Sequence, residues 1–206
     1  MSITKSNLLL DFDGVVIRNE RIAAIVKNKS ESFIAKKYNL TKSQSARVNR
    51  VFYKTHGHTA IGVDPNNYKQ HVLEYNDYVF SDMEYSLLRE YITPTDVRSL
   101  RNVVSLKRKY ALFTNAPISW CENMCALAHV DLYDFIDPSR CFASDEGLIK
   151  PKKEIYDRVE ESLENHIYFI DDSAINLEAV RDRDRWSTTL LRPDEDLSSR
   201  LTDLSV

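Results

Sequence analysis

Three short apolar runs punctuate the chain: Leu8-Leu9-Leu10, Ala111-Leu112-Phe113 and Ile167-Tyr168-Phe169-Ile170. Each ends abruptly at polar residues, a pattern that predicts strands buried on both faces of a parallel sheet. Residues 187–191 read as a final core strand. Residues 19–91 show helical spacing and no convincing strand, with Ile22, Ile25, Val26, Phe33 and Ile34 as the first apolar stripe. Thr41 with Gln44 forms a capping-box pattern for a second helix carrying Val48, Val51 and Phe52, which should stop near Gly57. Asp64-Pro65 reads as the start of a third helix through Tyr68, Val72 and Tyr75, and Ser81 with Glu84 as the cap of a fourth. Thr93-Pro94 opens a helix bearing Val97, Leu100 and Val104 that returns to the sheet. Pro117 and Pro151 fit the first turns of two further helices, the second carrying Ile155, Val159 and Leu163. Residues 130–136 read as a turn refastening to the core, and no pattern is legible after Pro193.

At 206 residues and 43% hydrophobic content, the chain can bury one substantial core and carry one modest insert. Hence the division expected is a core of residues 1–17 and 92–206 with an all-helical insert over 18–91. Net charge of -3 and a pI near 6.0 leave no basic footprint for polymeric nucleic acid. No apolar run approaches the ~20 residues of a membrane span, no cleavable leader is legible, and the three cysteines do not suggest a disulfide framework. Cys121 and Cys125, four apart on a helix, could hold half a metal site, but buried thiols are far commoner. A cytoplasmic protein without membrane partners is expected.

The chemistry gathers where the strands end. Asp11 and Asp13 share a side of the first strand wherever it stays extended, and two carboxylates that close need a cation or a shared proton. Thr114 and Asn115 end the second strand ahead of Pro117, where helix N–H groups suit an anion. Lys150 precedes Pro151 at another helix start, a poor place for a cation unless an anion sits with it. The third run ends at Asp171-Asp172. Four carboxylates aimed at one point, all oxygen donors, suit magnesium. Only four glycines are present and no phosphate-binding glycine loop or G-x-G-x-x-G, which disfavours a nucleoside-triphosphate kinase or a dinucleotide enzyme.

These four stretches, in this order, resemble the signature motifs of the haloacid dehalogenase-like (HAD) hydrolase superfamily from Leu8 to about Arg192. The helical insert after the first strand is similar to its smaller type of cap. Within the insert, Tyr53, Lys54, Gly57 and Gly62 resemble the "YYKxYGxxxxGL" stretch of pyrimidine 5'-nucleotidase-like members, and Asp171-Asp172-Ser173 with Asn176 fits them too. One departure lies downstream: Arg183-Asp184-Arg185-Trp186 stands where relatives tend to carry a glycine before the last strand.

The resemblance implies a Rossmann-like α/β core and a Mg2+-dependent phosphomonoester hydrolase forming an aspartyl phosphate. It implies Asp11 as nucleophile, Asp13 as the acid that protonates the leaving oxygen and then activates water, and Thr114 and Lys150 as stabilisers of the transferring group. Asp13 argues against a dehalogenase, which has no alkoxide to protonate. The metal set implied is Asp11, Asp13 and Asp172, with Asp171 acting through water. The substrate-binding set is Thr114, Asn115, Lys150, Tyr53 and His56, the last on a loop from Thr55 to Gly62 overhanging the site. The small-molecule substrate implied is a pyrimidine nucleoside 5'-monophosphate. The alternatives are another small phosphoester handled by a phosphatase or phosphomutase, and an inactive phospholigand-binding module.

Overall fold

The computed structural model describes residues 7–204. Five parallel strands form one sheet in the order β3-β2-β1-β4-β5: β1 Asn7–Leu10, β2 Tyr110–Phe113, β3 Ile136–Phe142, β4 Ile167–Asp171 and β5 Trp186–Leu190. The chain builds outward from β1 through β2 to β3, then returns to the other side of β1 for β4 and β5. The order therefore reverses at β1, and the carboxyl ends of β1, β2 and β4 lie side by side where open α/β sheets take their ligands. β1 and β2 are buried at every position. Leu8 and Leu10 enter one core layer and Leu9 the other, with Phe113, Tyr156, Phe169 and Trp186.

Between β1 and β2 the described residues hold helices and no strand of the sheet. These are α1 Glu20–Tyr38, α2 Lys42–His56, α3 Thr59–Val63, α4 Tyr68–Asn76 running on into a π-helical turn Asp77–Ser81, α5 Tyr85–Arg89 and α6 Pro94–Ser105. Their apolar stripes join the same hydrophobic cluster as Leu10 and Trp120. The Thr41–Gln44 capping box is present, and a second is made by Thr93 and Asp96. Gly57 ends α2 in the left-handed region at φ 74°, as expected of a helix-terminating glycine.

Two predicted caps are corrected. Asp64 accepts from the Asn66 and Asn67 N–H groups in a turn of its own, so α4 starts later, at Tyr68, without a side-chain cap. Ser81 lies inside the π-helical turn, and α5 begins after Glu84, again uncapped by a side chain. The turn expected over 130–136 holds a 3-10 turn at Leu132–Asp134, and β3 after it was not predicted: it carries Pro138 and is polar in the middle, which an edge strand tolerates. The remaining helices are α7 Ile118–Leu127, α8 Lys153–Ser162, α9 Ala174–Glu178 and α10 Leu197–Asp203. The last of these buries Leu197 and Leu201 in a tail that showed no pattern.

The unusual charged connection before β5 has a structural role. Arg185 donates to the carbonyls of Glu160 and Asn165 at 3.0 and 2.9 Å, and also to that of Leu163. The Trp186 indole and Arg183 both bond the Glu160 carboxylate. These contacts tie the end of α8 to the start of β5. Among the described residues no helix is long and apolar enough to cross a membrane.

Candidate active site

Asp11 is the first residue past β1. Its N–H still bonds the Ile170 carbonyl at 3.0 Å, so the sheet fixes its backbone, and its side chain turns into the cleft, 7% exposed. The chain then tightens through Gly14, whose φ is 83°. A Cβ on Gly14 would stand 2.1 Å from the Asp172 carboxylate, so glycine is required both by its conformation and by the close approach of Asp172.

Lys150 is fully buried. Its Nζ lies 3.0 Å from Asp11 Oδ1 and 2.6 Å from Asp171 Oδ2, and donates to the Phe113 carbonyl at 2.7 Å. The ammonium also lies over the Phe113 and Phe169 rings, 5.0 and 5.2 Å from their centroids. Burial alone would lower its pKa, but Asp11 and Asp171 more than offset this and hold it charged. Asn115 fastens the lysine from behind: its amide accepts from the Lys150 N–H at 2.7 Å and donates to the Lys150 carbonyl at 2.9 Å. Asn115 therefore positions Lys150, and the second N–H of its amide leaves the substrate contact expected of it as it stood.

Asp11, Asp171 and Asp172 each present a carboxylate oxygen within 4.8 Å of the others. Asp171 is saturated, its two oxygens accepting from Lys150, from the Ser173 N–H and twice from Asn176. Burial, then the charges of Asp171 and Asp172, push the Asp11 carboxyl well up against the pull of Lys150, and burial and Asp171 raise Asp172. Such repulsion among hard oxygen donors is what a divalent cation relieves, so the residues fit Mg2+. The prediction of four converging carboxylates becomes three. The Asp13 side chain turns away and accepts from the Trp120 indole N–H at 3.1 and 3.2 Å. Asp13 opens onto the cleft but is walled by protein, and that burial pushes its carboxyl up to about 6. Sequence reasoning missed Trp120. Its only signal was an aromatic residue in the first turn of the helix after Thr114.

Thr114, 2% exposed, ends β2 with its hydroxyl accepting from the Ala116 N–H at 3.1 Å. The α7 N-terminus is less open than expected, since Asp145 Oδ2 accepts from the Ile118 N–H at 3.0 Å. Above Asp13 and Asp172 lies a cavity of about 640 Å³ bounded by α1, α2 and the α2–α3 turn. Tyr53 and Lys54 line it, as does Arg50 one helical turn earlier. His56 does not: the histidine on the wall is His58, buried, its Nδ1 accepting from the Ala60 N–H at 3.1 Å and its ring against Tyr75. The left-handed turn at Gly57 sends His58 inward. Burial lowers its pKa to about 4, so it is neutral at pH 7. Cys121 and Cys125 are free and buried, outside the metal-competent group found among the described residues.

No family model and no curated protein sequence matches the chain. Solved structures do. A dehalogenase superposes with a TM-score of 0.52 at 12% identity, over 99% of this chain and 98% of that one. A HAD phosphatase from Thermococcus onnurineus superposes at 0.50 and 16% identity, over 93% and 88%. The chain has the haloacid dehalogenase-like fold. In the HAD fold of this chain, the central strand supplies Asp11, its two neighbours supply Thr114 and Asp171, and Lys150 enters between them from the β3–α8 connection.

Proposed function

We propose that the protein is a Mg2+-dependent phosphomonoester hydrolase acting through an aspartyl phosphate on Asp11. The observation that carries this reading is the buried Lys150 ammonium joined to Asp11 and Asp171 at the carboxyl ends of two adjacent strands. A charge-neutral hydrolytic site has no use for a buried cation tied to the acid that would attack. An Asp11 oxygen attacks phosphorus and the bond to the leaving oxygen breaks, while Asp13 gives that oxygen its proton. Asp13, now a carboxylate, takes a proton from water, which attacks phosphorus and breaks the bond to Asp11, releasing inorganic phosphate. A carboxyl titrating near 6 serves in both directions close to neutral pH. Lys150 and Thr114 stabilise the transferring group. Mg2+, which Asp11 and Asp172 would hold with the hydrogen-bonded Asp171 beside them, would supply charge neutralisation for the phosphoryl oxygens.

The substrate we favour is a pyrimidine nucleoside 5'-monophosphate. The cavity has room for a nucleoside, with Ile22, Ala23 and Val26 as an apolar wall and neutral His58 and Tyr53 as polar contacts. Arg50 and Lys54 favour a second reading, a phosphoester whose leaving group carries its own negative charge. Phosphate release measured with Mg2+ across UMP, CMP, purine monophosphates, sugar phosphates, carboxylate-bearing phosphoesters and an aryl phosphate separates the two. The nucleotidase reading expects UMP or CMP to exceed the rest in kcat/KM by at least about tenfold, equivalent to ~1.4 kcal/mol of transition-state binding. Preference for an acidic leaving group would replace it, and no activity on any ester in Mg2+ would remove the hydrolase reading altogether.

A further inference from the structure

A proton donor must point one way, and little in the backbone around Asp13 makes it do so. The residue lies past the end of β1, in the connection that tightens at Gly14, and it is exposed on the cleft. No ion pair holds its carboxyl among the described residues, because the Lys150 ammonium goes to Asp11 and Asp171. The donor it does have there is the Trp120 indole N–H, which reaches both oxygens, at 3.1 and 3.2 Å. The indole is itself held fast. Trp120 is fully buried in the first turn of α7, and its ring stands 5.2 Å from that of Phe80 and 6.2 Å from that of Tyr85, centroid to centroid. An indole offers a single donor and no acceptor, so this N–H has Asp13 as its partner and is costly to leave without one.

The direction of this bond matters as much as its presence. Asp13 lines the cavity of about 640 Å³ together with His58 and Tyr75 of the helical segment, and its carboxyl stands apart from the cluster of Asp11, Asp171 and Asp172. Held there, it is on the side where a leaving group sits. Misplacing a reacting group by about 1 Å can cost on the order of 10²-fold in rate. We propose that Trp120 is the positioning residue for Asp13: its N–H selects the orientation in which the carboxyl gives its proton to the ester oxygen as the bond from that oxygen to phosphorus breaks and Asp11 takes the phosphoryl group. This rests on the hydrolase reading above and adds to it a residue that touches no reacting atom. Phe80 and Tyr85 both come from the helical segment, so the ring that aims the acid is clamped by the same segment that walls the cavity.

The test compares leaving groups, since 4-nitrophenolate departs without a proton and an alkoxide does not. Phosphate release in Mg2+ is measured on 4-nitrophenyl phosphate and on UMP or glycerol 3-phosphate, whichever of these two alkyl esters the parent turns over faster. The proteins are the full chain, Trp120→Phe, and a chain with benzothienylalanine in place of Trp120, which keeps the bicyclic ring and loses only the N–H. In both variants kcat on the alkyl ester should fall at least about tenfold more than kcat on 4-nitrophenyl phosphate. That difference should vanish when either change is made in Asp13→Asn. Lost packing alone would slow both esters alike, and such an equal loss overturns the proposal, as does a selective loss that survives in Asp13→Asn. A selective Asp13→Asn beside unselective indole variants removes Trp120 from this role and spares the hydrolase reading. A parent that releases no phosphate, or an Asp13→Asn that slows both esters alike, brings down the acid role of Asp13 and this proposal with it.

Discussion

Asp13 is exposed to the cleft with its carboxylate held by one indole N–H, and the protein that replaces water around it raises its carboxyl to about 6. Because this raises a carboxyl above its unfolded value, the native state binds more protons than the unfolded state between about pH 4 and pH 6, and stability falls as pH rises through that window. In metal-free protein, Asp13→Asn should therefore gain Tm relative to the parent as pH climbs from about 4 to about 6, and hold that gain above it. A Tm difference independent of pH would show that Asp13 is not perturbed in the native state. Lys150 poses the opposite case, because its loss strands two carboxylates. Breaking a buried pair by removing one partner costs about 3–5 kcal/mol. Lys150→Ala should lose that much in denaturant unfolding near neutral pH, and less in acid, where Asp11 takes up a proton. An unchanged midpoint would mean that the carboxylates find other partners.

At the scale of elements, what was legible in the sequence was whatever announced itself locally. β1, β2 and β4 are continuous apolar runs, so their burial and their carboxyl-end residues could be read directly, and Asp11, Lys150 and Asp171 meet at that end of the sheet. Features set by tertiary contact were not legible. β3 is a strand because β2 offers it a free edge, whatever Pro138 prefers. α10 forms because Leu197 and Leu201 find a hydrophobic surface. His56 looked like a ligand to substrate, yet the cavity wall carries His58, and Asn115 fastens Lys150, which its position in the sequence did not announce. Gly14 shows how strongly one connection constrains the site. Gly14→Ala forces a side chain into the left-handed region, about 1–2 kcal/mol, and drives Cβ against Asp172. Mg2+ affinity, followed by calorimetry, should fall at least about tenfold, with a smaller Tm loss than Lys150→Ala. Undiminished Mg2+ binding would show that Asp172 is not a ligand.

Across the whole molecule, the helical segment and one face of the sheet share a continuous hydrophobic cluster, and the larger cavity lies where they meet, above Asp13 and Asp172. Trp120 joins the two: its indole holds Asp13 while its ring packs against Phe80 and Tyr85 of the helical segment, 5.2 and 6.2 Å between centroids. The Asp11, Lys150 and Asp171 cluster thus stands at the carboxyl end of the sheet, and the walls of the cavity come largely from the helices. The claim on which this account turns is that Asp11 becomes phosphorylated, and rapid acid quenching during turnover of an aryl phosphate in Mg2+, followed by mass spectrometry of the peptides, tests it most directly. One phosphoryl group is expected on the peptide containing Asp11, absent in Asp11→Asn and absent in excess chelator. Brisk, Mg2+-dependent phosphate release by Asp11→Asn, with no phosphorylated peptide in the parent at any quench time, would contradict it.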